Sequence, residues 1–257
     1  MIAYTAASSL GRLDGRRALV TGAARGMGRA HALTLAGLGA SVTLLDLDEV
    51  ENANTAQEIK SLGGTAYALA ADVTSRTACE RASEAAASAM GGLDILVHNA
   101  GLMYSGTGLA DTDDEDFHRL LMVNVHAPLY LTRAALPYLL ASDHARVVFV
   151  SSQWGQVPGG HSYGYMTAKA AQLGLMKTMA TEFAGRQILV NAVTPGAVIT
   201  RMVPEEYQQA EQAVIPIGRL AEPGEIASVV AFLAGDGASF ITGQTIGVNG
   251  GACIVGI

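Results

Sequence analysis

Tyr165 and Lys169 stand four residues apart in Tyr165-Met166-Thr167-Ala168-Lys169, a spacing that sets both side chains on one face of a helix. A phenol ordinarily titrates near pH 10, so a lone tyrosine is no base at neutral pH. A neighbouring ammonium stabilises the phenolate and lowers that value, and such a tyrosine can exchange a proton with a substrate oxygen. Tyr163 is the rival base, but no lysine follows it four positions later. Upstream, Ser151 and Ser152 close the apolar run Arg146–Val150, and a hydroxyl at a strand's carboxyl end can bond that same oxygen. Alone, Tyr-x-x-x-Lys is also an ordinary exposed helix pair.

The turn Thr21-Gly22-Ala23-Ala24-Arg25-Gly26-Met27-Gly28 joins the β-type run Arg17–Thr21 to the helical stretch Met27–Leu38. Backbone N–H groups and the dipole of a helix N-terminus at such a junction hold a pyrophosphate. In this G-x-x-x-G-x-G spacing Gly22 permits the tight turn, Gly26 lets the main chain approach the phosphates, and Gly28 lets the helix pack on the strand. The pattern departs from G-x-G-x-x-G, and glycine turns also arise for packing. Asp46 adds weight. It ends the second strand, 24 positions after Gly22, where a carboxylate accepts the adenosine ribose hydroxyls and repels a 2′-phosphate. The opposing cue is Arg25, whose guanidinium could pair with that phosphate. NAD is favoured, NADP is second, and Met27 and Leu47 complete the contacts expected around Asp46 and the turn. The plainer reading of Asp46, beside Asp48 and Glu49, is a helix N-terminal charge.

These pieces need a frame. Short apolar runs at Ser41–Leu45, Ala66–Ala71, Leu93–Val97, Arg146–Val150, Ile188–Val193 and Thr245–Val248 alternate with helical stretches at Glu49–Leu62, Thr77–Met90, Asp113–Leu140, Tyr163–Phe183 and Gly224–Leu233. Such alternation requires right-handed crossovers and a parallel sheet covered on both faces. The expected fold is α/β, a doubly wound Rossmann-type sheet, in one domain across 1–257 with an N-terminal arm over 1–15. The Gln-rich segment 201–218 reads equally as a substrate lid or a plain surface helix.

The glycine turn, Asn99-Ala100-Gly101 after the fourth strand and Tyr165 to Lys169 together resemble the short-chain dehydrogenase/reductase family. Further pieces match in order over nearly the whole chain: Asp72-Val73, Asn124, Ser152, Pro195-Gly196 with Val198 and Thr200, and the tail from Pro223 to Gly251. The resemblance implies that Asp72 and the Val73 amide face the adenine, and that Asn99, Ala100 and Gly101 form the floor beneath it. Pro195 to Thr200 would hold the nicotinamide carboxamide. Ser152, 13 residues before Tyr165, fits the family pattern better than Ser151. Asn124 would sit at a helical kink and position a water linking Lys169 to solvent; its mid-helix place carries a propensity cost that suits a specific role. Two departures are His98, where the family often has Asn, and Asn249, where it often has Asp.

Composition bounds the rest. Half of the 257 residues are hydrophobic, 5% are aromatic, and there are 30 glycines, which describes a compact Ala/Gly/Val-rich body rather than a disordered or fibrous chain. The net charge of −7, with no basic run beyond Arg16-Arg17, argues against a nucleic-acid surface. Cys79 and Cys253 lack CxxC or metal-ligand spacing and read as reduced thiols in an intracellular protein. No apolar stretch reaches the roughly 18 residues of a membrane span, and Met1 to Leu10 lacks signal-peptide character, so a cytoplasmic protein is expected. Asp111, Asp113, Asp114, Glu115 and Asp116 read as a helix start, with Thr112 and Glu115 as its capping box, not as a metal site, for which no EF-hand glycine is present. The histidines show no H-E-x-x-H or triad arrangement, although His161 is placed to line a substrate mouth. Met103, Tyr104, Trp154, Met202 and Tyr207 read as an apolar pocket wall or as scattered core.

The expectation is an NAD-linked oxidoreductase interconverting a secondary alcohol and a ketone, on an apolar cyclic or aromatic substrate. Tyr165 is the acid/base, Ser152 polarises the oxygen, Lys169 orients the nicotinamide ribose, and Asn124 completes a relay. The alternatives are an NADPH-dependent 3-oxoacyl-carrier-protein reductase, disfavoured by Asp46 and by acidic repulsion, and a dinucleotide-sensing protein without turnover. The resemblance implies a homotetramer, and the Ala- and Met-rich helix Tyr163–Phe183 offers apolar surface for it.

Overall fold

In the computed structural model, which describes residues 11–103, 108–159 and 162–255, the short apolar runs form a seven-stranded parallel sheet. Its strands are β1 (Arg17–Thr21), β2 (Ser41–Asp46), β3 (Thr65–Ala70), β4 (Ile95–His98), β5 (Arg146–Val150), β6 (Leu189–Pro195) and β7 (Thr245–Val248), in the order β3-β2-β1-β4-β5-β6-β7. Alternate side chains enter opposite layers. Ala18, Val20, Val42, Leu44, Val148 and Val150 pack with α1 (Gly26–Gly37), α2 (Glu49–Ser61) and α8 (Pro223–Ala234). Leu19, Leu45, Val147 and Phe149 pack with α3 (Arg76–Met90), α5 (Ala127–Leu140) and α6 (Tyr163–Phe183). Every residue of β4 and β5 is buried, which is why these strands read as continuous apolar runs rather than as alternating ones.

The strand order reverses between β1 and β4, so the loops after these two strands diverge and leave a crevice at their carboxyl ends. The glycine turn and Asn99–Gly101 both lie there. Opposite them, β5 carries Ser151 and Ser152, and α6 runs back beside it with Tyr165 and Lys169.

Two sequence expectations change in detail. The helix expected over Asp113–Leu140 is three pieces: α4 (Asp114–Leu121), a π turn (Met122–His126) and α5. The cap of α4 is Asp113, whose Oδ1 accepts from the Asp116 N–H at 2.9 Å. The Thr112–Glu115 capping box does not form, because Thr112 closes the preceding short turn by donating to the Gly108 carbonyl. The segment 201–218 contains α7 (Glu205–Ala213), none of whose residues is buried. No helix of the described residues is long and apolar enough to cross a membrane.

His31 and His98 lie fully inside these layers, and burial pushes both imidazoles down to about 3. The unfolded chain binds protons at these groups below about pH 6.5 while the folded one does not, so their contribution to stability is present above pH 6.5 and is lost as pH falls towards 3. Between pH 7.5 and 5.5, urea unfolding should show a loss of roughly 2–3 kcal/mol from the pair. His98→Asn should roughly halve it; an unchanged loss in that variant would refute the assignment.

Candidate active site

The first turn of α1 is built to receive an anion. Arg25 occupies its N-cap without a side-chain capping bond, and the turn holds no acidic residue, so its N–H groups remain available. Gly22 has φ of 65°, and a Cβ there would lie 2.9 Å from the Ala100 Cα. At Gly28 a Cβ would lie 1.9 Å from the Gly22 carbonyl oxygen. Only glycine therefore lets α1, the turn and the β4 loop meet. Beyond them runs a groove of about 410 Å³, within the size range of small-molecule sites. Gly22, Arg25, Gly26, Met27 and Gly28 of the turn line it together with Asp46, Leu47, Asp72 and Val73, which follow β2 and β3. Asn99, Ala100 and Gly101 form its floor.

Asp46 ties the groove's walls together: its Oδ2 accepts from the Ala24 N–H at 2.9 Å and its Oδ1 from the Asp48 N–H at 3.0 Å. Asp48, not Asp46, caps α2, accepting from the Glu51 N–H at 3.1 Å. Arg25 is turned towards α2, with Nη1 2.6 Å from Asp48 Oδ2 and Nε 3.7 Å from Glu51 Oε2. A turn of backbone N–H groups that can receive an anion, a carboxylate at the end of β2 and a partly apolar groove fit a nicotinamide dinucleotide.

Ser152, Tyr165 and Lys169 are all buried where β5 meets α6. Ser152 Oγ accepts from the Trp154 N–H at 3.2 Å, which leaves its own proton to donate. Ser151 is committed elsewhere, donating to the Lys169 carbonyl at 2.9 Å. Tyr163 is 42% exposed at the start of α6, whereas Tyr165 is 7% exposed. Lys169 Nζ donates to the Val150 carbonyl at 3.0 Å and lies 5.6 Å from the Tyr165 ring centroid. Burial pushes the Lys169 ammonium down to about 7 and the Tyr165 phenol up to about 12, the latter opposed by the Ser152 hydroxyl. The expected lowering of Tyr165 by Lys169 does not appear, because burial of the phenol dominates. Desolvation penalises both charged forms.

Asn124 sits in the π turn, fully buried. Its Nδ2 donates to the Leu120 carbonyl at 2.9 Å and the Leu102 carbonyl at 3.0 Å. Its Oδ1 is buried with no partner. A Cβ on Gly101 would stand 3.0 Å from that oxygen and 3.4 Å from Lys169 Nζ. The space that Gly101 leaves open is therefore bordered by an orphan acceptor and an amine, a polar setting suited to a water.

Residues 22–253 match the family model described as enoyl-(acyl carrier protein) reductase. The chain is 35% identical over 246 residues to the 3-oxoacyl-[acyl-carrier-protein] reductase of Thermotoga maritima, covering 95% of this chain and 100% of the relative. This chain belongs to the short-chain dehydrogenase/reductase family. It is also 35% identical over 240 residues to the cyclohexanol dehydrogenase of an Acinetobacter species, covering 93% and 95% of the two chains. The crystal structure of carveol dehydrogenase from Mycobacterium avium in complex with NAD superposes with a TM-score of 0.90 at 28% identity, covering 94% of this chain and 99% of that one. The family is one of oxidoreductases using nicotinamide dinucleotides.

Not every residue expected at the dinucleotide of this dehydrogenase/reductase reaches the groove. Of Pro195 to Thr200, Thr200 lines it, while Pro195 ends β6, Gly196 pairs with Val248, and the Val198 side chain is buried in the core against α8. Trp154 stands edge-on to Tyr165, with ring centroids 6.3 Å apart. Met202 lines the groove, and Tyr207 is exposed on α7. Tyr104 and His161 lie outside the described residues. Asn249 is structural, bonding the Cys253 carbonyl and the Gly251 N–H, and His98 is paired with Thr132 at 2.7 Å. Sequence reasoning missed Thr21. Its Oγ1 accepts from the Asn99 and Ala100 N–H groups, both at 3.0 Å, and so fixes the floor. That role exists only once β4 lies beside β1.

Proposed function

We propose that this dehydrogenase/reductase interconverts a secondary alcohol and a ketone, with NAD(H) preferred and an apolar cyclic or aromatic substrate. The observation that carries the reading is the convergence of Ser152, Tyr165, Lys169 and Asn124 beside a groove whose ribose end presents Asp46. When bound, the nicotinamide accepts or donates the hydride. Tyr165 takes the proton from the alcohol oxygen, or returns it to the ketone oxygen, and Ser152 donates a hydrogen bond to that oxygen. Lys169 holds the nicotinamide ribose hydroxyls and, as an ammonium, favours the phenolate. A water between Asn124 Oδ1 and Lys169 Nζ passes the proton towards solvent. The groove residues from Gly22 to Gly28, with Asp46, Leu47, Asp72, Val73 and Asn99 to Gly101, hold the dinucleotide. Of the segment Pro195 to Thr200, Thr200 borders its nicotinamide end.

The second reading, an NADPH-dependent 3-oxoacyl-carrier-protein reductase, is favoured by the name of the Thermotoga maritima relative and opposed by Asp46. A screen of cyclic and aromatic alcohols with NAD+ and NADP+ separates the two. We expect higher kcat/KM with NAD+, and Asp46→Ala should narrow the gap by roughly 1–3 kcal/mol in transition-state terms, the scale of an uncompensated charge. A parent enzyme preferring NADP+ would overturn the cofactor assignment, and reduction of a 3-oxoacyl thioester alone would favour the second reading. All four proton-handling residues are present, which opposes a sensor without turnover. A homotetramer is proposed on the family resemblance; light scattering at micromolar concentration should give four chain masses, and a monomer would refute it.

A further inference from the structure

The geometry points to Asp48 and Glu51 as cofactor-specificity determinants that act by latching Arg25, an inference that rests on the dinucleotide reading above. Arg25 lines the ribose end of the groove as well as a second hollow beside it, shared with Arg29, Glu51, Asn54 and Arg201. A guanidinium so placed is the natural partner of a 2′-phosphate, which it could grip through two parallel N–H donors. In this structure Nη1 is drawn to α2, 2.6 Å from Asp48 Oδ2, and Nε stands 3.7 Å from Glu51 Oε2, an ion-pair contact without a hydrogen bond. Asp48 holds its position because its other oxygen accepts from the Glu51 N–H as the cap of α2. Asp46, one turn away, has both oxygens accepting backbone N–H groups and cannot swing aside to admit a phosphate.

The consequence is a division of labour. Asp46 repels the 2′-phosphate directly, while Asp48 and Glu51 hold back the cation that would otherwise reward it. Three carboxylates, not one, then set the preference, and the sequence cue for NADP at Arg25 is cancelled by residues further along α2. The neighbouring Arg29 is paired in a similar manner, its Nη2 lying 2.5 Å from Glu58 Oε2, so Arg25 and Arg29 each make an ion pair to a carboxylate of α2 or its cap.

Binding of NADH and NADPH to the intact protein, followed through the fluorescence of its single tryptophan, Trp154, tests this without turnover. Asp48→Asn with Glu51→Gln keeps a capping oxygen on α2 and releases Arg25. We expect NADPH to bind about tenfold more tightly, the factor that one added charge-assisted contact of about 1.4 kcal/mol represents, while NADH changes less than about twofold. Adding Arg25→Ala to that double variant should remove the gain. A parent that prefers NADH, with a double variant no better at NADPH, overturns the latch alone; so does a gain that survives Arg25→Ala. A parent that prefers NADPH, or binds neither dinucleotide, overturns the reading beneath it as well.

Discussion

Tyr165→Phe should lower kcat at least about a hundredfold, the lower bound for a lost general acid/base, while folding and NADH affinity change little. The phenol is buried with Ser152 at its side and Lys169 on its own helix, so the substitution removes one hydroxyl and no packing. Its folded value is raised towards 12 by burial, which gives a sign to the pH dependence. Alcohol oxidation needs the phenolate and should accelerate as pH rises through the alkaline range. Ketone reduction needs the phenol and should not. Tyr163→Phe, changing an exposed ring, serves as the control and should stay active. If Tyr165→Phe keeps more than about a tenth of the parent kcat, against the contribution expected of such a group, the proposed chemistry is wrong.

Lys169→Met should separate activity from stability in opposite directions. An ammonium 4% exposed, bonded to a backbone carbonyl and pushed down to about 7, is a charge the fold tolerates at a cost. The unfolded chain holds that proton up to about pH 10.4, whereas the folded chain releases it above about 7. Stability attributable to this position therefore rises with pH between those values and is poorest at and below neutrality. Replacing the amine by an apolar side chain of similar length should raise Tm at pH 7, by roughly 2–4 °C for each kcal/mol recovered. The same change removes the cation next to Tyr165 and one border of the site beside Gly101, so kcat should fall by two orders of magnitude or more, a loss on the scale of the proton transfer itself. Equal Tm values at pH 7 and full activity would show that Lys169 is neither strained nor used.

The burial directions at Tyr165 and Lys169 also mark where reading residues in a line stops being sufficient. Spacing alone placed both on one face of a helix, and α6 begins and ends at the residues the pattern implied. Spacing could not say that the face is dry. The desolvation that pushes the phenol up and the amine down comes from β5 and the π turn packing over them, contacts between segments far apart in the chain. The same holds for Asn124: a poor helix former mid-helix signalled a role, but the widened turn and the unpartnered Oδ1 beside Gly101 required three elements to meet.

Local sequence was enough wherever the physics is local. Glycine at 22, 26 and 28, alternation of apolar runs with helical stretches, and Tyr-x-x-x-Lys are short-range constraints, and from them the doubly wound sheet and the turn side of the groove could be read, while Asp72, Val73 and Asn99 to Gly101 came from the family resemblance. Capping was nearly local, and the displacement from Thr112 to Asp113 is a one-residue choice between two oxygen-bearing side chains. What only the tertiary structure decided is which of several eligible groups is free: Ser152 rather than Ser151, because Ser151 is bonded to the Lys169 carbonyl, and Val198 turned into the core while Thr200 faces the groove. Arg25 belongs to the same class. Its charge is plain in the sequence, but its direction depends on where α2 sets down Asp48 and Glu51, and a hydrogen bond or ion pair already made inside the fold is unavailable to a ligand.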